Sequence, residues 1–367
     1  MSYNKKSMKV ALILVLGVLL GAVAYVRWHL WRITPGGTVA KIVVAGFFLI
    51  WTAAGIATVL VRDRLSTPVT EVLYEIGQPW MVAFAYLLIA FFLADLAALC
   101  KLLPRTFLNS SWTGFLTIVG VIAIVMIAGG IHYRHKYREE ITIHTDKPLE
   151  KPLTLVMASD LHVGYSNRKA ELARWIDLIN AEKLDLVLFA GDIVDNQTRP
   201  LFEGEYAQEF KRLTAPAYTV MGNHEYIAGS DKSAQFMADA GITLLRDKVA
   251  QIDGINIIGR DDRSNPCRAA LWEFADSLKG FTVLLDHQPF HLEDAEQMGV
   301  DFQFSGHTHR GQFWPYSWVT DLMYEKSWGY LERGKTRYYI SSGLGIWGPK
   351  IRIGTRSEYL VVHITND

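Results

Sequence analysis

The sequence predicts an α/β protein joined to a four-helix membrane region, and three observations lead there. Long apolar runs crowd the first 131 residues, while short apolar runs separated by helical patterns fill the rest. Strands alternating with helices point to a layered α/β domain. Several of the short runs also stop at a Gly or an acid, which is where open α/β sheets place their chemistry.

Four apolar runs, 10–26, 42–61, 80–100 and 115–131, approach or reach the roughly 17–25 residues a bilayer span needs. A cleaved signal peptide is the competing reading of the first, but three further spans and no clear small-x-small cleavage site disfavour it. Trp28, Trp31, Trp80 and Trp112 fall near span ends, where amphipathic rings prefer the headgroup layer. Asp95 is the one acid inside a span, and its place near Lys101 reads as interfacial snorkelling or helix pairing. Lys5, Lys6, Lys9, Arg62, Arg64, Arg134, Lys136 and Arg138 outnumber Arg27, Arg32, Lys41, Lys101 and Arg105 across the spans. That bias puts both termini, and so the second half of the chain, in the cytoplasm as part of a multi-pass cell-membrane protein.

Residues 132–152 read as a juxtamembrane linker. They open with a basic collar, His132 to Arg138, suited to anionic headgroups, and carry Pro148 and Pro152. The folded domain is expected over 153–367. Its strand-like runs are Leu153–Met157, Leu186–Ala190, Tyr218–Met221, Ile255–Ile258, Val283–Leu285, Phe302–Phe304, Tyr338–Ile340 and Tyr359–Val362. Between them, Leu172, Trp175, Ile176 and Ile179 form a helical stripe, and the patterns ending at Gly241 and Gly280 fit left-handed C-caps. Alternation alone suggests a single doubly wound sheet. Lys plus Arg equals Asp plus Glu at 37 each, so no global basic field exists to hold nucleic acid. Cys100 and Cys267 offer no disulfide framework.

Polar chemistry follows five of the strands: Asp160-Leu-His162, Gly191-Asp192-Ile-Val-Asp195, Gly222-Asn223-His224-Glu225, Asp286-His287 and Gly306-His307-Thr308-His309. Carboxylate, imidazole and amide oxygen without thiolate suit borderline divalent metals, and there are enough groups for two ions if one carboxylate bridges. Any one of these stretches could be a turn, since Gly-Asn-His is good turn chemistry. Five in series, holding five of the chain's eleven histidines, make a turn-only reading poor.

In that order DLH, GDIVD, GNHE, DHQP and GHTH resemble the five blocks of the calcineurin-like metallophosphoesterases, over about residues 150–365. GHTHRGQ, SSGLG and the multi-span N-terminus resemble the membrane-anchored branch that includes transmembrane metallophosphoesterases and UDP-diacylglucosamine pyrophosphatases. The resemblance implies a four-layer α/β/β/α sandwich and two divalent ions, manganese ahead of iron, zinc or magnesium. One ion would be held by Asp160, His162, Asp192 and His309, the other by Asp192, Asn223, His287 and His307. It also implies that His224 is the general acid, with Asp195 orienting it. Arg310 departs from the glycine common in that branch and is a candidate contact to a second phosphate, or else a solvated loop charge. Arg260 to Arg263 read as a surface ion-pair cluster, with substrate contact at the rim as the other use, and Arg352 and Arg356 as hairpin charges.

The expected function is hydrolysis of a phosphodiester or pyrophosphate, with a glycolipid or nucleotide-linked lipid as the substrate the membrane anchor suggests. A protein phosphatase or nuclease of the same fold is the alternative enzyme; a receptor or scaffold that keeps its metal site is the alternative without catalysis. The aromatic stretch 313–330 reads as packing over the site mouth, with lipid contact as the other use. The expected partners are a phosphoester substrate and the bilayer.

Overall fold

The computed structural model describes residues 5–366 and divides into two compact units, Met1–Gly129 and Gly130–Asp367.

In the first unit, helices Lys5–Ile33, Thr38–Leu60, Thr67–Gly77 and Pro79–Leu99 precede a helical segment running over Trp112–Arg134. Four stretches are long and apolar enough to cross a membrane: Ile13–Ile33, Thr38–Leu60, Thr67–Leu99 and Trp112–Arg134. Their inward faces meet through Val26, Leu30, Phe48, Trp80, Leu87, Phe91 and Ile118, whereas Val18, Leu20, Val39, Ile50 and Ile124 are exposed. An apolar exterior around a packed interior is what lipid as solvent requires. Trp80 stacks on Phe84 at 5.0 Å inside this core, so it is not an interfacial ring as expected. Asp95 pairs helices: its Oδ2 accepts from Tyr25 Oη at 2.7 Å and lies 2.9 Å from His29 Nε2.

The second unit holds two six-stranded sheets. The first is built from β1 (Lys136–Thr145), β2 (Leu153–Ala158), β3 (Leu186–Phe189), β4 (Ala217–Thr219), β5 (Thr243–Leu244) and β12 (Ser357–Asn366), in the order β1-β12-β2-β3-β4-β5. The second is built from β6 (Lys248–Ile252), β7 (Ile255–Gly259), β8 (Phe281–Leu285), β9 (Phe302–Ser305), β10 (Gly329–Arg333) and β11 (Thr336–Ile340), in the order β10-β11-β9-β8-β7-β6. β2, β3, β4 and β5 run parallel, as do β7, β8, β9 and β11.

Alternation along the strands builds the layers. Leu155, Met157, Leu186 and Leu188 of the first sheet pack on Ile255, Ile257, Val283, Leu285, Phe302 and Phe304 of the second. The opposite face of the first sheet, Val156, Ala158, Val187 and Phe189, is covered by Leu172, Trp175, Ile176, Phe236 and Met237 from helices Lys169–Asn180 and Ser230–Asp239. The outer face of the second, Ile258, Leu284, Tyr338 and Ile340, is covered by Leu271, Phe274, Leu292 and Ala295. The result is a mixed α/β sandwich of two sheets between helices.

Two local expectations change. The sheet begins before residue 153, because residues 136–145, inside the expected linker, form β1 and pair in parallel with β12 over the whole of both strands. Gly280 does not cap in the left-handed region; the segment Leu271–Lys279 is a 3₁₀ helix that runs into extended backbone at Gly280 (φ −112°).

Candidate metal centre

The five polar segments leave the C-terminal ends of β2, β3, β4, β8 and β9, the parallel strands of the two sheets. Asp160, His162, Asp192, His307 and His309 all have positive φ, between 46° and 72°. Non-glycine residues hold that conformation at a cost of order 1–3 kcal/mol each, and such strain gathers at functional sites. Two glycines allow the crowding: a Cβ on Gly222 would come within 2.1 Å of Asp192 Oδ1, and one on Gly306 within 2.3 Å of Asp160 Oδ2.

The side chains converge. Asp160, His162 and His309 bring ligand atoms within 4.8 Å of one another, as do Asp192, His287 and His307, and as do His162, Asp192 and His224. Asp192 therefore stands in two of the three groups. Its Oδ2 lies 3.1 Å from His287 Nε2 and 3.6 Å from His162 Nε2, while its Oδ1 accepts from the backbone N–H of His224 at 2.9 Å. Asn223 Oδ1 lies 2.8 Å from His307 Nδ1 and 3.2 Å from His287 Nε2. His224 Nδ1 lies 3.2 Å from Asp195 Oδ1, which is also 3.5 Å from His162 Nδ1.

The donor set fits divalent cations. His162 Nε2 and His309 Nε2 face each other at 3.0 Å, and Asp160 Oδ1 sits 3.3 Å from His309 Nε2, all fully or nearly fully buried. Burial opposes charge on every one of these groups, yet Asp160 and Asp192 are held below the usual carboxylate range by the surrounding imidazoles. His162, disfavoured by burial, is pushed up to about 10 by its bonds to Asp160 and Asp195, while burial and the charge of His287 push His307 down to about 4. Buried carboxylates balanced by protons on neighbouring imidazoles are what metal binding replaces, because ligand histidines must be neutral. His287 Nδ1 lies 2.7 Å from the Ala190 carbonyl, which fixes the ring and leaves Nε2 toward the cluster.

Arg310 places its guanidinium 4.3 Å above the Trp328 ring, and Arg356 lies 4.8 Å from the same ring. Three other arginine and acid readings change. Asp261 and Asp262 are buried, not a surface cluster, since Asp261 accepts from Arg246, Tyr226 and Asn265. Arg352 is fully buried and donates to the carbonyls of His309, Ser342 and Gly345, so it braces the histidine loop. Glu225 closes one of the five motifs, where the sequence gives it no role. Its buried carboxylate accepts from the backbone N–H groups of Gly222, Asp192 and Val194, tying two of the loops together. Its sequence signal is a Glu three residues after Gly222, the capping-box spacing at a helix start.

The aromatic stretch divides. Tyr324 stands at the rim, 6.3 Å from the His307 ring and 4.8 Å from Phe290. Trp318 and Leu322, on helix Tyr316–Met323, are 60% and 89% exposed. Trp328 is instead pinned by its Nε1 donating to Glu358.

A family model described as calcineurin-like phosphoesterase matches residues 153–311. An uncharacterized metallophosphoesterase of Aquifex aeolicus is 31% identical over 240 residues, 62% of this chain and 90% of its own length. Another, from Helicobacter pylori strain J99, is 32% identical over 230 residues, 60% of this chain and 61% of its own length. A Danio rerio transmembrane protein with metallophosphoesterase domain is 29% identical over 225 residues, 56% of this chain and 52% of its own length. The chain thus spans less than two thirds of the Helicobacter pylori and Danio rerio relatives.

Proposed function

We infer the reaction from one premise: this chain belongs to the calcineurin-like metallophosphoesterase family, whose members depend on two metal ions. The reading is a membrane-anchored phosphoester hydrolase that cleaves a phosphodiester or pyrophosphate. The observation that supports it most is the place of Asp192, whose Oδ2 lies 3.1 Å from His287 Nε2 and 3.6 Å from His162 Nε2, between the two ligand groups.

Asp160, His162, Asp192 and His309 would hold one divalent ion, and Asp192, Asn223, His287 and His307 the other, with manganese the preferred metal. Two such ions supply Lewis-acid polarisation of the phosphoryl oxygens and a nucleophile at neutral pH. His224, whose side chain is 13% exposed, would donate a proton to the leaving oxygen. Asp195 Oδ1, 3.2 Å from Nδ1, would orient that ring. The buried loops fix these groups before substrate arrives, which is most of what phosphoryl transfer asks of a protein.

Asp192→Asn or His224→Ala should abolish hydrolysis of bis-p-nitrophenyl phosphate in manganese, and turnover like wild type in either variant would reject the assignment.

The substrate is proposed to be lipid-borne, at the cell membrane, with the catalytic unit in the cytoplasm. Four apolar helices and the exposed Trp314, Trp318, Leu322 and Met323 beside the histidine loop support this. Trp314→Ser with Trp318→Ser should lower turnover of a phosphodiester embedded in vesicles several-fold more than that of a soluble one. Equal loss on both would remove the lipid part of the reading.

A further inference from the structure

Beside the candidate metal centre lies a second cleft, of about 300 Å³, near the lower end of ligand pockets. Arg260, Arg263, Asn265, Arg268, Phe290 and Asp294 line it. The cleft and the metal centre share a wall. Asp286, which immediately precedes His287, accepts from Arg260 and Arg268 on the same oxygen, Oδ2, and the backbone N–H of Arg260 donates to Leu285 at 3.0 Å. Phe290 continues through Tyr324, at 4.8 Å, to the His307 ring at 6.3 Å.

The charge is not balanced inside the cleft. Three guanidinium groups meet Asp286 behind them and Asp294 on the wall. Arg263 lies 4.7 Å over the Phe290 ring and, among the described residues, has no carboxylate partner. Stacking fixes the plane of a guanidinium while leaving its N–H edge available. Among the described residues, Arg260 Nε and Arg268 Nε also have no hydrogen-bond partner, although both side chains are close to nine-tenths buried. Arg260 spends one N–H on the Ala269 carbonyl, and the remaining donors of Arg260 and Arg268 outnumber the single Asp286 oxygen that accepts from both.

We propose that this cleft binds a phosphate group, next to the one the metal centre acts on. Guanidinium forks match phosphate oxygens in geometry and charge. The proposal rests on the phosphoesterase reading for its link to substrate, since a molecule with two phosphates could place one at each site. The phosphate could arrive on the substrate or as free inorganic phosphate, and the chemistry of recognition is the same.

The test is calorimetric titration of the manganese-loaded full chain in detergent with ADP, AMP and inorganic phosphate, for wild type, Arg263→Gln and Arg263→Lys. Removing one charge-assisted contact should weaken ADP by about tenfold or more and AMP far less, with Arg263→Lys between. Weakened phosphate with unchanged ADP would assign the cleft to free phosphate. Wild-type affinity of Arg263→Gln for both ADP and phosphate, at an unchanged melting temperature, would overturn the proposal, as would a wild type that binds neither. The hydrolase reading is judged separately: ADP binding lost in Arg263→Gln, with no wild-type turnover of bis-p-nitrophenyl phosphate, keeps the cleft and discards the hydrolase.

Discussion

The two sheets contribute different chemistry to one rim. Loops after β2, β3 and β4 of the first sheet bring Asp160, Asp192 and Asn223 with His162 and His224, so every oxygen donor in the cluster comes from there. Loops after β8 and β9 of the second sheet bring only imidazoles, His287, His307 and His309. The carboxylate loops are held by backbone N–H groups and by Glu225, while the imidazole loops are held through carbonyls, at Ala190 for His287 and at Arg352 for His309. Negative charge is thus fixed on one layer, and the other contributes imidazoles alone. A metal pair bound between them would clamp the sandwich at its functional edge, and its loss should loosen both loop sets together.

The largest expected effect separates the layers by metal content. Wild type should hold about two ions per chain, Asp192→Asn should lose both, and His309→Ala should lose one. Elemental analysis of purified protein measures this directly. Equal loss in the two variants would break the assignment of Asp192 as the shared ligand and leave the sheets equivalent.

The first-sheet chemistry was legible because Asp160, His162, Asp192 and Asn223 each lie within a few residues of the end of a short apolar run, and a strand end followed by polar ligands is a local pattern. Arg352 was not legible, because its partners His309, Ser342 and Gly345 are set by folding and nothing beside it in the chain marks burial. The pairing of β1 with β12 is likewise a contact between residues more than two hundred apart, so the strand-like alternation of Glu140 to His144 does not by itself place that stretch in the sheet. Asp261 and Asp262 misled for the opposite reason: a run of four charges looks solvated, but β7 delivers the two acids to the interior edge. The two-sheet layout itself was not in the strand–helix alternation, which fits one wound sheet equally well; only the ordered set of motifs pointed to a sandwich.

Next in size are the two braces. Arg352→Met should leave three buried carbonyls without their donor, and the charge it removes offsets part of that loss, so about 3 kcal/mol of stability should go. Glu225→Gln turns an amide N–H₂ toward backbone donors and should cost about 2 kcal/mol. Melting of the full chain in detergent ranks them. If the layers are held as described, Glu225→Gln should depress turnover per bound metal more than Arg352→Met does, since it loosens the loop carrying His224. The reverse order would mean the imidazole layer, not the carboxylate layer, sets the geometry.

The smallest effect concerns acid stability on the second sheet. Burial alone would raise the Asp261 carboxyl, but hydrogen bonds from Arg246, Tyr226 and Asn265 outweigh it and hold the group below its ordinary value. A carboxyl depressed on folding contributes stability that is fully present above its unfolded value of about 3.9 and disappears as pH falls through the folded value. Asp261→Asn should therefore lower the melting temperature by a constant amount above about pH 5, corresponding to about 2 kcal/mol for a buried partner of a half-exposed arginine. The gap to wild type should narrow below about pH 4 as wild type loses the same contribution. A gap that stays constant down to pH 3 would mean the Asp261 network stabilises through its neutral hydrogen bonds rather than its charge.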